Sequence, residues 1–134
     1  MKLGVMLAVV VAVLPAAALA QDDNSPEAMA AVKPGEAVRF DRDSIRGFGE
    51  SRSFEVAIGW ADGGAPKPAG HLSRRVRYVA NCSAGTLAVA SVAVYDAGGM
   101  LLKSMISPPG AVDATAPEAA SAQARWLQDV CTSR

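Results

Sequence analysis

Histidine is almost missing from this chain. His71 is the one instance in 134 residues, and cysteine occurs only twice, as Cys82 and Cys131. That is too little nitrogen and sulfur for a His-rich or Cys-rich metal site built within one chain. A Ser-His-Asp hydrolase would have to use His71 as its base, and no Gly-x-Ser-x-Gly elbow accompanies it. An excess of one charge is missing too: 13 Lys+Arg stand against 13 Asp+Glu. Such a balance excludes bulk electrostatic capture of nucleic acid. No catalytic residue, cofactor or metal is expected from this inventory. Asp41 and Asp43 lack the spacing of an EF-hand calcium loop. His71, beside Gly70, reads as a solvated loop residue.

Half of the chain is apolar (51%), but unevenly so: residues 4–20 hold only apolar residues, Gly and Pro. Met1-Lys2, the apolar middle and Ala18-Leu19-Ala20 are the basic start, core and small-x-small end of a secretory signal. Pro15 interrupts the run, and an apolar helix needs about 20 residues to span a bilayer. Residues 1–20 are therefore expected as a cleaved signal peptide, residues 21–35 as a flexible leader of small and polar residues, and residues 36–134 as one domain. Removal of residues 1–20 takes one lysine and no acid, leaving 12 basic against 13 acidic side chains. The mature chain is expected in the periplasm or outside the cell, without a membrane span. No lipid anchor is expected, because no cysteine follows the small residues. In an exported chain two cysteines read as a disulfide. Closing the Cys82–Cys131 loop would stabilise the fold by about 4 kcal/mol in the chain-entropy account.

Ala37-Val38-Arg39-Phe40 reads as a short strand ended by a turn at Asp41-Arg42-Asp43-Ser44. Phe54, Val56, Ile58 and Trp60 alternate with smaller or polar residues, the period of a strand with one buried face. Residues 61–70, rich in Gly and Pro, form a loop. From Arg74 to Cys82 a third strand places Val76, Tyr78, Ala80 and Cys82 on one face and Arg75, Arg77, Val79 and Asn81 on the other. Thr86–Tyr95 is apolar on both faces, with Leu87, Val89 and Ala93 on one and Ala88, Ala90, Val92 and Val94 on the other. One helix covers only one face of a sheet, so the second apolar face needs a cover, either a curled sheet or a second copy of the chain in a homodimer. Asp96-Ala97-Gly98-Gly99 is a hairpin turn into Met100–Ile106, which Pro108-Pro109-Gly110 stops. Thr115-Ala116-Pro117-Glu118 has the spacing of a capping box, with Thr115 as N-cap. The helix after it carries an apolar stripe of Ala119, Ala122, Trp126, Leu127 and Val130, with Gln123 as a polar exception. The expected fold is α+β: one antiparallel sheet of about five to six strands, packed by a C-terminal helix and fastened by one disulfide.

Arg74, Arg75 and Arg77, preceded by Lys67 and His71, form a basic-basic-x-basic pattern suited to anionic partners. Arg75 and Arg77 point the same way on a strand, and an ion pair with Glu55 would absorb part of that charge. Tyr78 and Trp126 fall on apolar faces and are expected in the core. Trp60, at a strand end before the Gly/Pro loop, is either a lid over the core or the aromatic residue most open to a partner.

Ser73-Arg74-Arg75-Val76-Arg77-Tyr78 leads into Cys82; Tyr95-Asp96 follows thirteen residues after that cysteine, with Gly98 and Gly99 beyond; a proline-bearing link and a helix end in Cys131. Upstream, Asp41-Arg42-Asp43-Ser44-Ile45 fits an Asp-x-x-Ser-Ile turn. In this order and spacing, over roughly residues 36–132, the chain resembles the surface-adhesin protein E-like domain of exported proteobacterial proteins. The resemblance implies an antiparallel sheet with a C-terminal helix. It also implies a non-enzymatic binding role at the cell envelope, with host matrix or serum proteins as partners, to which the basic pattern at Arg74, Arg75 and Arg77 adds anionic surface components such as glycans. The alternative expectation is a periplasmic structural or interaction protein with a partner inside the envelope.

Overall fold

The alternation in Phe54, Val56 and Ile58 buries all three, and this stripe is the axis on which the fold is built. The computed structural model describes residues 25–108 and 114–133. The expected signal peptide and residues 21–24 lie outside the described residues. Five strands follow one another as a meander, β1 (Glu36–Phe48), β2 (Ser51–Trp60), β3 (Ser73–Asn81), β4 (Thr86–Tyr95) and β5 (Leu101–Ile106). They lie in the order β1-β2-β3-β4-β5, every neighbouring pair antiparallel. A short helix α1 (Pro26–Ala30) precedes the sheet and helix α2 (Ala122–Thr132) follows it. The α+β design, the single sheet and the disulfide are as expected.

Two strands depart from the sequence pattern. β1 does not end at Phe40: it continues to Phe48, with an arch between Asp41 and Arg46 where four residues face only Phe54 of β2. The expected turn residues build that arch. The Asp41 carboxylate accepts from the Asp43 N–H (3.0 Å), and the Ser44 hydroxyl donates to the Asp41 carbonyl (2.6 Å) while accepting from the Glu55 N–H (2.7 Å). The chain reverses later, through Gly49-Glu50, where Gly49 has φ 72°. A positive φ at the first central position suits a two-residue hairpin of type II′.

β4 is not apolar on both faces. Arg77 pairs with Ser91 and Tyr78 with Val89, so Ala90 is an unpaired bulge residue that shifts the alternation by one. Leu87, Val89, Val92 and Val94 all point to the same buried face as a result. Ser107 seals the bulge: its N–H donates to the Ala90 carbonyl and its hydroxyl to the Val89 carbonyl, both at 2.9 Å. With one apolar face, β4 supplies no reason to place a second copy on the other side.

The buried face is closed by α2. Trp126 and Val130 lie on it, with Tyr78 5.8 Å and Phe54 6.3 Å from the Trp126 ring, and Phe40 stacked on Trp126 at 6.4 Å. Burying an aromatic cluster of this kind contributes about 1.5–3 kcal/mol per ring. The start of α2 corrects the capping expectation. Thr115 instead pairs with Leu87 as an isolated bridge, Ala120 has φ 64°, and Ser121 is the N-cap, its hydroxyl accepting from the Ala124 N–H at 3.1 Å. At the other end Arg52 of β2 donates to the carbonyls of Val130 (2.7 Å) and Ser133, placing a cation at the negative end of the helix. Cys131 in the last turn is bonded to Cys82, just past β3, with Cα atoms 5.5 Å apart. Arg42 of the β1 arch adds an ion pair to Asp129 (2.9 Å).

The leader expectation also changes. Part of that segment is helical: the Ser25 hydroxyl caps α1 by accepting from the Ala28 N–H (3.1 Å), and Ala30 is buried in the core.

Candidate functional site

The three-arginine pattern is divided by the pleat. Arg74 has the inward parity of Val76 and Tyr78, and its side chain is 3% exposed. A buried guanidinium needs a partner, and Glu36, at the start of β1, provides one. Arg74 Nη1 donates to Glu36 Oε2 (2.7 Å) and Nη2 to Oε1 (2.8 Å), a two-pronged pair. Nη2 also donates to the Ala31 carbonyl (2.9 Å). Glu36 is itself 1% exposed at its side chain and accepts from the Lys33 N–H at 2.8 Å. The Arg74 hydrogen bond leads the causes that hold its pKa at about 2, against an opposing push from burial.

His71 belongs to the same cluster, which corrects its reading as a solvated loop residue. Its Nε2 lies 2.8 Å from Glu36 Oε2 and its side chain is 10% exposed. Trp60 joins the cluster at its outer end. Its ring is 5.3 Å from the His71 ring, and its Nε1 donates to the Ala65 carbonyl at 2.7 Å. Gly35 is required beneath it: φ is 86°, and a Cβ there would meet the indole at 2.3 Å. This cluster ties α1, β1, the 61–72 loop and β3 together, and it removes Arg74 from any surface patch.

Arg75 and Arg77 face outward, on the side of the sheet opposite α2, and they differ. Arg77 Nη2 donates to Glu55 Oε1 at 2.8 Å on the adjacent strand, the ion pair expected from the sequence. Arg75 has no hydrogen-bond or ion-pair partner among the described residues. Its register neighbour is Ala57, and the neighbour of Ala57 on the other side is Arg39, likewise exposed and without such a partner among the described residues. Strands lie about 4.8 Å apart, so Arg39 and Arg75 flank Ala57 across about 10 Å of backbone. The floor between and beside them is kept low by small residues. Gly59 and Ser73 extend it into an open groove of about 540 Å³, which Tyr95, Trp60 and Asp62 also line. A second hollow of about 220 Å³, between Arg39, Ala57 and Arg75, reaches Glu55 and Asp41.

Arg39 was not singled out by sequence, because a lone arginine in a short strand carries no signal. Its role comes from register, which sets it opposite the same alanine as Arg75. Lys67 lies in the exposed 61–70 loop.

Chemically the face offers two guanidinium groups, each able to donate a fork of hydrogen bonds to a carboxylate, sulfate or phosphate. Among the described residues no group of three or more His, Cys, Asp or Glu is placed to hold a metal ion. No helix among them is long and apolar enough to cross a membrane. Comparison of the chain with protein family models, curated proteins and solved structures yields no match.

Proposed function

We propose that this chain is an exported, non-catalytic binding module, as its resemblance to surface-adhesin protein E-like domains implies, and that its arginines take an anionic partner on the uncovered face of its sheet. The observation that carries the reading is the pair of outward guanidiniums, Arg39 and Arg75, left without partners on either side of Ala57. An acidic or sulfated chain laid across the strands would meet both, while the small floor admits it close to the backbone. Retention on heparin that falls as salt rises tests this. The double variant Arg39→Ala/Arg75→Ala should elute at clearly lower salt, and Arg74→Ala is unsuited to the test because that residue is buried. Unchanged elution of the double variant would sink the reading. Protease challenge of intact cells then decides where the module works: cleavage places it within reach of matrix or glycan partners.

A second reading, a structural or interaction protein inside the envelope, is favoured by β5. Leu101, Leu102 and Ile106 are 58%, 55% and 76% exposed on that edge strand. Apolar side chains beside an open strand edge suit a protein partner. Protection from protease until the outer membrane is opened, together with loss of a crosslinked partner in Leu102→Lys/Ile106→Lys, would support it over the first.

A further inference from the structure

Exposed large apolar side chains are not scattered over this molecule. Of the six among the described residues, Met100, Leu101, Leu102 and Ile106 all lie on β5 or directly before it. Single exposed apolar side chains are ordinary, whereas a cluster of them marks a surface that meets something.

The register sets the direction in which they face. Val92 and Val94 are buried on the covered side, so Ser91, Ala93 and Tyr95, which alternate with them, point to the uncovered face. Ile106 pairs with Ser91 and Leu101 with Tyr95, which puts both on that face. On the other side of β4, Ala93 pairs with Arg75 and Ser91 with Arg77. The apolar margin on β5 thus lies two strand spacings, about 10 Å, from the arginines of β3, on one continuous surface. Farther across, Arg39 flanks Ala57, and Arg46 pairs with Ser53, which alternates with buried Phe54. The strands give this face four arginines against two carboxylates, Asp41 and Glu55, and Glu55 is already paired with Arg77.

Resting on the anionic-partner reading of the arginines, we propose that this face docks on an anionic phospholipid bilayer, with Leu101 and Ile106 entering the headgroup region while Arg39 and Arg75 meet lipid phosphates. A bilayer interface takes up apolar side chains and offers phosphates beside them, without a fixed shape to match. Tyr95, on the strand between the two sets, belongs to a residue type enriched at such interfaces. A soluble sulfated or acidic chain would engage the arginines and leave Leu101 and Ile106 in water. Addition of a partner strand along β5 is discouraged by its own build. The ladder to β4 skips a residue between Leu101 and Lys103, and Lys103 shares the inward parity of Val94. A bulge and an inward-pointing charge are both devices that blunt a sheet edge.

Co-sedimentation of the disulfide-intact protein with vesicles tests this. One set holds phosphatidylglycerol and phosphatidylcholine in equal parts, the other phosphatidylcholine alone. Binding to the first set is expected, with binding to the second weaker by about tenfold or more. Leu101→Ser/Ile106→Ser changes only exposed side chains, so the fold is kept. It should weaken vesicle binding about tenfold or more and leave heparin retention unchanged. Arg39→Ala/Arg75→Ala should weaken both. Retention on heparin without vesicle binding overturns the lipid proposal and leaves the proposed function standing. Vesicle binding that Leu101→Ser/Ile106→Ser does not alter also overturns it, because charge alone would then account for attachment. So does a parent protein that ignores vesicles but crosslinks to a protein partner which this variant loses.

Discussion

At the scale of single residues, three arginines within four positions have three different fates. Arg74 is a buried half of an ion pair, Arg75 is unpaired at the surface, and Arg77 is neutralised by Glu55. Removing one member of a buried pair leaves the other charge stranded, so Arg74→Ala should cost about 3–5 kcal/mol. Arg75→Ala should stay within about 0.5 kcal/mol. Urea denaturation of the two variants measures the contrast. Glu36 gives the pair a pH signature. Its pKa is lowered from 4.5 to about 2 in the folded chain. The stability it contributes is therefore fully present above about pH 4.5 and is lost as pH falls through about 2. Acid titration of Glu36→Gln should show a smaller drop over that window than the parent. The inward parity of Arg74 was legible, because it shares the alternation of Val76 and Tyr78. Its partner was not: Glu36 is 38 residues away, and only the strand order brings the two together.

At the scale of elements, alternation and turn chemistry made β2, β3 and the Asp96–Gly99 hairpin legible. The Asp96 carboxylate accepts from the N–H groups of Gly98 and Met100, both at 2.9 Å, as its place in the turn suggests. The bulge at Ala90 was not legible. In a run of Ala, Val and Ser either parity looks apolar, and only pairing with β3 chooses between them. The start of α2 was misread because Thr115 and Ser121 are both good caps by composition. The bridge to Leu87 and the positive φ at Ala120 exclude the earlier one. Ser121→Ala should therefore destabilise the protein by about 1 kcal/mol, the ordinary cost of a lost N-cap, while Thr115→Ala leaves helix stability unchanged. Thermal melts of both variants by circular dichroism distinguish them.

At the scale of the whole molecule, α2 is joined to the sheet by packing at Trp126 and Val130, by Arg52 at its C-terminus and by the Cys82–Cys131 bond. Reduction should lower stability by about 4 kcal/mol. Calorimetry with and without reductant measures this, and Cys82→Ala/Cys131→Ala should match the reduced protein. The two faces of the sheet then divide the molecule's properties. One carries the core and α2; the other carries unpaired arginines over a small-residue floor. A formal charge of zero for the whole chain conceals that separation. The candidate arginine face was therefore only half legible, with Arg75 read from its own strand and Arg39 seen only through register.

The meander has a consequence in time. Every strand pairs with the one made just before it, so each new contact closes a short loop, which favours rapid assembly in order from the N-terminal end. The helix is the exception: its disulfide spans 49 residues of sequence. The sheet can thus form before the last segment docks, with its apolar face open until Trp126 arrives. Two cysteines permit one intramolecular pairing, so oxidation has no wrong isomer to correct and acts as a latch on a chain that has already found its shape.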